Sequence, residues 1–283
     1  MRQYSLLENL LFPSTPLNGE KLRRALQGRT IVITGASSGI GERLSYLLGQ
    51  CDAHLILTAR RVEKLQKIKK EIEQIAPASA KVTVYDADLR NEEELDGFLA
   101  FIHSLPTAPN IVVSNAGLSI RRSIFDSLDR SHDFARTMAI NYTAPVRLLL
   151  SVIPELERNR GQIINVSTIN VALIPFPHWA AYQASKAAFD TWFRSASPEL
   201  HARGIATTSV YLPLVRTPMI APTDAYAKMP AMSADHAARR IAKSMYTKQR
   251  TVRPWWLPFG QLASIWGRGI WERVAPSRLR RKE

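Results

Sequence analysis

Residues 30 to 41 read Thr-Ile-Val-Ile-Thr-Gly-Ala-Ser-Ser-Gly-Ile-Gly, and no other stretch limits the fold of this chain as much. The five residues before the first glycine are all β-branched, the composition of a strand buried on both faces of a parallel sheet. After the glycines at 35, 39 and 41 the apolar positions change to helical spacing through Leu44, Leu47 and Leu48. A strand that turns on glycines into a helix gathers backbone N–H groups and the positive end of the helix dipole, which suits a pyrophosphate. The spacing is Gly-x-x-x-Gly-x-Gly, not the usual G-x-G-x-x-G, and alone it also fits a plain loop.

Two distant stretches decide between these readings: Ser114-Asn115-Ala116-Gly117 and Tyr182-Gln-Ala-Ser-Lys186. With Thr34–Gly41, in this order, they resemble the short-chain dehydrogenase/reductase family, and the likeness runs from about residue 29 to 253. The segments between them alternate. Strands are expected at 54–59, 81–86, 111–115, 161–168 and 206–212, with a short last one near Thr251-Val252. Helical patterns separate them, one long helix running over 131–157 and others starting near Trp179 and Ser233. That alternation predicts an α/β fold, a Rossmann-like doubly wound parallel sheet of about seven strands with helices on both faces. Three parts are expected: an amphipathic arm over 1–28, the nucleotide-binding catalytic domain over 29–253 and a basic, Trp-rich tail over 254–283.

The second strand ends at Ala59, followed by Arg60 and Arg61. An acid at this point binds the ribose 2′-hydroxyl of NAD, whereas guanidinium groups accept a 2′-phosphate. NADP(H) is therefore the expected cofactor, with simply opening the next helix as the alternative role for Arg61. By resemblance, its other contacts are Gly35, Ser37, Ser38, Gly39, Ile40 and Gly41 in the turn, Asp88 and Leu89 at the adenine, and Asn115, Ala116 and Gly117. Tyr182, Lys186, Pro213, Val215 and Thr217 complete the set; helix capping is the competing role for Asp88, shared with Asn91.

Carbonyl reduction needs a hydride from nicotinamide and a proton from the protein. A tyrosine with a pKa near 10 is a poor base unless an ammonium one helical turn away favours its phenolate. Tyr182 is the expected acid/base and Lys186 its tuner, which by resemblance also holds the nicotinamide ribose. Pro145 lacks an N–H and frees the Asn141 carbonyl, which can hold a water; the resemblance places the family's active-site asparagine at Asn141. The family also uses a serine 13 residues before the tyrosine, but position 169 is Ile. One extra residue in 169–179 puts Thr168 in that place, with Ser167 as the alternative. Leu214 stands where the family commonly has glycine, narrowing the space beside the nicotinamide.

The stretch Leu212–Pro222 resembles reductases of fatty-acyl or polyketide-type chains, and Met219, Ile220, Tyr226, Met229 and Met232 offer an apolar cover for an elongated substrate. An apolar carbonyl or alcohol substrate is expected, with a non-catalytic nucleotide sensor or scaffold as the alternative. No metal ligand set and no nucleic-acid motif are present in this reading; a homo-oligomer is expected.

Charge enters the argument through its placement. Net charge is +14, and from Arg239 onward twelve Lys/Arg face two acids. Four of the six tryptophans lie between 255 and 271. The spacings 262-265-266 and 270-274 suit an amphipathic helix, Pro258 and Arg268 oppose a spanning one, and Arg278, Arg280, Arg281 and Lys282 close the chain. This tail is read either as a peripheral contact with a lipid surface or as a cover for its own pocket or a partner. In the arm, Tyr4, Leu7, Leu10 and Leu11 sit at helical spacing, to pack on the domain or to meet a membrane or partner. The single Cys51, the absence of a signal-peptide pattern and the lack of a 20-residue apolar run predict a cytoplasmic protein.

Overall fold

The β-branched run forms β1 (Arg29–Thr34), at the centre of the sheet of a computed structural model that describes residues 4–75, 80–221, 223, 226 and 228–280. Around it stand β2 (Ala53–Ala59), β3 (Ala80–Asp86), β4 (Ile111–Ser114), β5 (Gln162–Thr168) and β6 (Ala206–Leu212), with a short edge strand, β9 (Thr251–Val252). The order is β3-β2-β1-β4-β5-β6-β9, and every pairing is parallel. Alternate side chains of each strand enter opposite layers. Ile31, Ile33, Leu55 and Leu57 pack with the helices α3 (Gly39–Leu48), α4 (Val62–Ile75) and α9 (Ala234–Thr247). Val32, Ile56 and Val112 pack with α5 (Glu92–Ser104), α7 (Ala144–Arg158) and α8 (Ala180–Ala202). The strand order reverses between β1 and β4, and at that switch point a crevice opens over the carboxyl ends of the strands.

Two predicted features are corrected. The helix expected over 131–157 is α6 (Ser131–Met138), then a π-helical turn over Ala139–Thr143, then α7. Proline at 145 cannot donate to the Asn141 carbonyl, and the ladder widens there, with the Ala144 N–H reaching the Ala139 carbonyl. A second, two-stranded sheet, β7 (Val215–Arg216) beside β8 (Met232–Ser233), is not foreseen by the sequence pattern, because two-residue strands carry no periodicity. It staples the two ends of the 217–231 loop. Met232 lies in the core, so it is not part of the apolar cover expected there.

At the amino terminus, α1 (Leu6–Leu11) and α2 (Gly19–Leu26) lie on the same layer as α9. Phe12, Leu22 and Leu26 are the buried anchors, while Leu7 and Leu10 point outward. The inward side chain of α1 is Glu8, which accepts from the Ser5 and Ala231 N–H groups and pairs with Arg216 of β7. The tail forms α10 (Leu257–Arg280), laid across the crevice. Pro222, Arg281 and Lys282 lie outside the described residues. Among the described residues no helix is long and apolar enough to cross a membrane.

Candidate active site

The crevice has a volume of about 1360 Å³ and one polar and one apolar end. The polar end is the β1–α3 turn. Gly35 and Gly39 adopt φ of +67° and +61°, which only glycine takes without strain. The turn is also too tight for side chains: a Cβ at Gly35 would lie 2.8 Å from the Ala116 Cα, and one at Gly41 would strike the Gly35 carbonyl. Asn115 locks this arrangement, its Nδ2 donating to the Thr34 carbonyl at 2.9 Å while the Thr34 hydroxyl accepts from the N–H of both Asn115 and Ala116. Ser38 begins α3 without a side-chain cap bond, so the first N–H groups of a ten-residue helix are left for a ligand. Ser37, Ser38, Gly39 and Ile40 line the crevice beside Arg60 and Arg61. The cradle fits a dinucleotide pyrophosphate.

Both arginines have partners. Arg61 donates to the hydroxyls of Ser37 at 3.0 Å and Ser38 at 2.7 Å, and Arg60 lies 3.7 Å from Asp88. Asp88 is held by Arg90, which keeps its carboxyl below the usual range, and it does not cap α5. Asn91 does, accepting from the N–H groups of Glu93 and Glu94. Ala87, Asp88 and Leu89 wall the crevice at this end.

At its floor, β5 delivers Thr168 and α8 delivers Tyr182, which line the crevice together, the threonine hydroxyl near enough to the phenol to influence its ionisation. Lys186, one turn on, donates to the Val166 carbonyl at 3.3 Å. Burial raises the Tyr182 pKa, opposed by the Thr168 hydroxyl, and lowers that of Lys186 to about 8, opposed by Asp190. Burial thus outweighs the depression of the phenol expected from the lysine, since it disfavours charge on both groups. Asn141 sits in the π turn with both ends of its amide engaged: Oδ1 accepts from the Leu118 N–H, and Nδ2 donates to the Leu118 carbonyl and the Ser185 hydroxyl, each at 2.9 Å. A Cβ at Gly117 would come within 3.0 Å of Asn141 Oδ1 and 3.5 Å of Lys186 Nζ, so these three residues crowd together.

Ser167 points elsewhere, its hydroxyl donating to Asp190 Oδ1 at 3.2 Å, while Tyr211 donates to the other oxygen. The sequence reading misses Asp190, though its place four residues after Lys186 is a visible signal. Pro213, Leu214, Val215 and Thr217 line the crevice after β6. The apolar end is walled by Leu173, Phe176, Trp179, Ile220, Met229 and Trp271, with Tyr226 stacked on Trp179 at 5.5 Å between centroids.

A glycine turn at the switch point of this sheet, with Tyr182 and Lys186 on one face of α8, defines a class: the chain belongs to the short chain dehydrogenase family, whose pattern matches residues 29–227. Within it, the chain is 39% identical over 244 residues to a fatty acyl-CoA reductase of Acinetobacter baylyi, covering 86% of this chain and 80% of that one. It is 37% identical over 230 residues to a fatty acyl-CoA reductase of Mycobacterium tuberculosis, covering 81% and 77%. A short-chain dehydrogenase from Sphingobium yanoikuyae, solved with NADPH, superposes with a TM-score of 0.74 over 89% of this chain and 94% of that one, at 22% identity. A 3-oxoacyl (acyl-carrier-protein) reductase from Agrobacterium tumefaciens with NADP bound gives 0.69 over 83% and 95%, at 23% identity. These two likenesses concern the fold.

Proposed function

We propose that the chain is an NADP(H)-dependent oxidoreductase that reduces the carbonyl of an apolar, fatty-acyl-type substrate, or runs the reverse alcohol oxidation. The observation that carries this reading is the convergence of the Tyr182 phenol and Thr168 hydroxyl on the floor of a crevice with an anion cradle at one end and apolar walls at the other. The cradle and the Arg60–Arg61 pair hold the dinucleotide, with Asp88 and Leu89 at its adenine. When bound, its nicotinamide supplies the hydride. Thr168 donates to the carbonyl oxygen and holds it as negative charge develops. Tyr182 gives that oxygen its proton, and its raised pKa keeps the proton on the phenol until it is needed. Lys186 holds the ribose, and as an ammonium it favours the phenolate left behind. Asn141 fixes the backbone at Leu118 and, beside Lys186, supports a path for the replacement proton.

The catalytic domain is taken as 29–253, between the arm 1–28 and the tail 254–283; the family match over 29–227 and the edge strand at Val252 support those limits. Contact of the tail with a membrane surface, a cytoplasmic setting suited to the lone buried Cys51, and a homo-oligomer belong to the same reading. Exposed Phe125, Leu128 and Leu150 support the last of these. The relatives named as fatty acyl-CoA reductases support the substrate class. The test is NADPH consumption with fatty acyl-CoA thioesters and aldehydes of graded length. Rates that climb with chain length are expected; nucleotide binding without turnover across the panel would make the protein a sensor.

A further inference from the structure

The outer surface of α10 is apolar where a solvated helix would be polar. Its inner stripe is used up by the molecule itself: Gly260 rests against Leu173, Ser264 accepts from the Ile174 N–H at 3.2 Å, and Trp271 meets Phe176 edge-on at 6.1 Å. The opposite stripe steps through Phe259, Leu262, Trp266 and Ile270 at intervals of three and four residues, one helical face. Trp266 is 83% exposed and Ile270 67%, with Ile265 beside them at 69%.

This stripe continues onto a second element from the far end of the chain. The Trp255 indole donates to the Leu10 carbonyl at 3.0 Å and the Trp256 indole to the Leu11 carbonyl at 3.3 Å, tying α1 to the start of α10. Leu6, Leu7 and Leu10 are exposed, Leu6 at 90%, and the half-exposed Trp255 ring bridges them to Phe259 at 6.5 Å between centroids. We infer that α1 and α10 together form one docking surface, and that its occupant is the headgroup–acyl boundary of an anionic lipid bilayer.

Charge selects that occupant over a second copy of the chain. Arg253 and Arg273 are exposed around the apolar stripe, and the one acid of α10, Glu272, already pairs with Arg268 at 2.8 Å. Two copies meeting through this face would bring these cations together without matching carboxylates, whereas anionic headgroups supply the opposite charge. Aromatic rings and arginine stems suit the same boundary. The surface also has a defined relation to the crevice. Trp271, Ala275, Arg278 and Leu279 line the crevice from the inner side of α10, so the helix that rests on lipid also walls the apolar end. Glu8 of α1 pairs with Arg216 and accepts from Ala231, which frame the 217–231 loop. Delivery of an apolar substrate from the bilayer rests on the reductase reading; the contact itself does not.

The test is sedimentation of the full chain with phosphatidylcholine vesicles, with and without phosphatidylglycerol, scored without turnover. Binding to the anionic vesicles at least tenfold tighter than to neutral ones, weakening with salt, is expected. Paired variants Leu7→Glu/Leu10→Glu and Trp266→Glu/Ile270→Glu should each lower that binding tenfold or more, while NADPH affinity and Tm stay near those of the parent. Quenching of tryptophan fluorescence in the unaltered protein by bromine-labelled acyl chains gives a readout that needs no variant. No binding at low salt, no quenching, or variants that bind as the parent does would overturn the inference. So would variants that change only the molecular mass in solution, since the face would then join two copies.

Discussion

Tyr182 and Arg61 divide the work of the crevice between chemistry and binding, and each makes that division measurable. Removing the Tyr182 hydroxyl takes away the proton donor but none of the turn that cradles the nucleotide. Tyr182→Phe should therefore lose turnover by about a thousandfold or more, within the range a positioned acid contributes together with its oxyanion contact. NADPH affinity, measured by fluorescence titration, should stay within about threefold; near-normal turnover at saturation would reject the mechanism. Arg60 is the guanidinium that the end of β2 singles out, yet Asp88 shares its charge. Arg61 lies on the Ser37 and Ser38 hydroxyls, at the cradle itself. Arg61→Ala should raise KM for NADPH about tenfold or more, the scale of one charge-assisted hydrogen bond, and Arg60→Ala by less. KM for NADH, which lacks the 2′-phosphate, should hardly change; equal losses for both cofactors would make the arginines structural.

Elements are placed here by groups that also report on pH. Helix α1 is too short to be stable alone, and it is held by Glu8, whose carboxyl is kept below its usual range chiefly by the Ser5 N–H and further by Ala231 and Arg216, against burial. A carboxyl whose folded pKa is depressed contributes stability in full above its unfolded value, about 4.3, and loses it as pH falls through the folded value. Glu8→Gln should thus cost about 1–3 kcal/mol at pH 7, or several degrees of Tm. The gap between parent and variant should close as pH falls from about 5; a gap independent of pH would assign the effect to packing. The π turn in front of α7 shows how little sequence such placement needs. One proline removes a donor, the ladder widens, and Asn141 is presented to Leu118 and Ser185.

Across the whole molecule, α10 is the part whose removal separates the two ends of the crevice. It contributes Trp271, Ala275 and Leu279 to the apolar end and nothing to the glycine turn. A chain ending at Trp256 should keep NADPH affinity and the turnover of short carbonyl substrates. Its KM for long-chain substrates should rise about tenfold, the worth of one or two lost side-chain contacts in an apolar pocket. Parallel losses for short and long substrates would mean that α10 supports the fold and not substrate selection.

The strands, their parallel arrangement and the nucleotide turn were legible because their causes are local. β-Branched runs at Thr30–Thr34 and Ile111–Val113 favour a strand buried on both faces, and glycines at 35, 39 and 41 mark backbone that tolerates no Cβ. Tyr182 and Lys186 were legible for the same reason, since a spacing of four places both on one helical face wherever the helix goes. What the tertiary structure alone decided depends on which distant groups meet. It turned the Ser167 hydroxyl to Asp190 and left Thr168 at the phenol, because neighbours on a strand face opposite ways. It pointed Glu8 inward and Leu7 outward, since Arg216 and the Ala231 N–H, more than two hundred residues away, make burial of that carboxylate favourable. It also divided α10 between crevice and surface: the spacings that suit an amphipathic helix do not say which side is covered, and apolar residues stand on both.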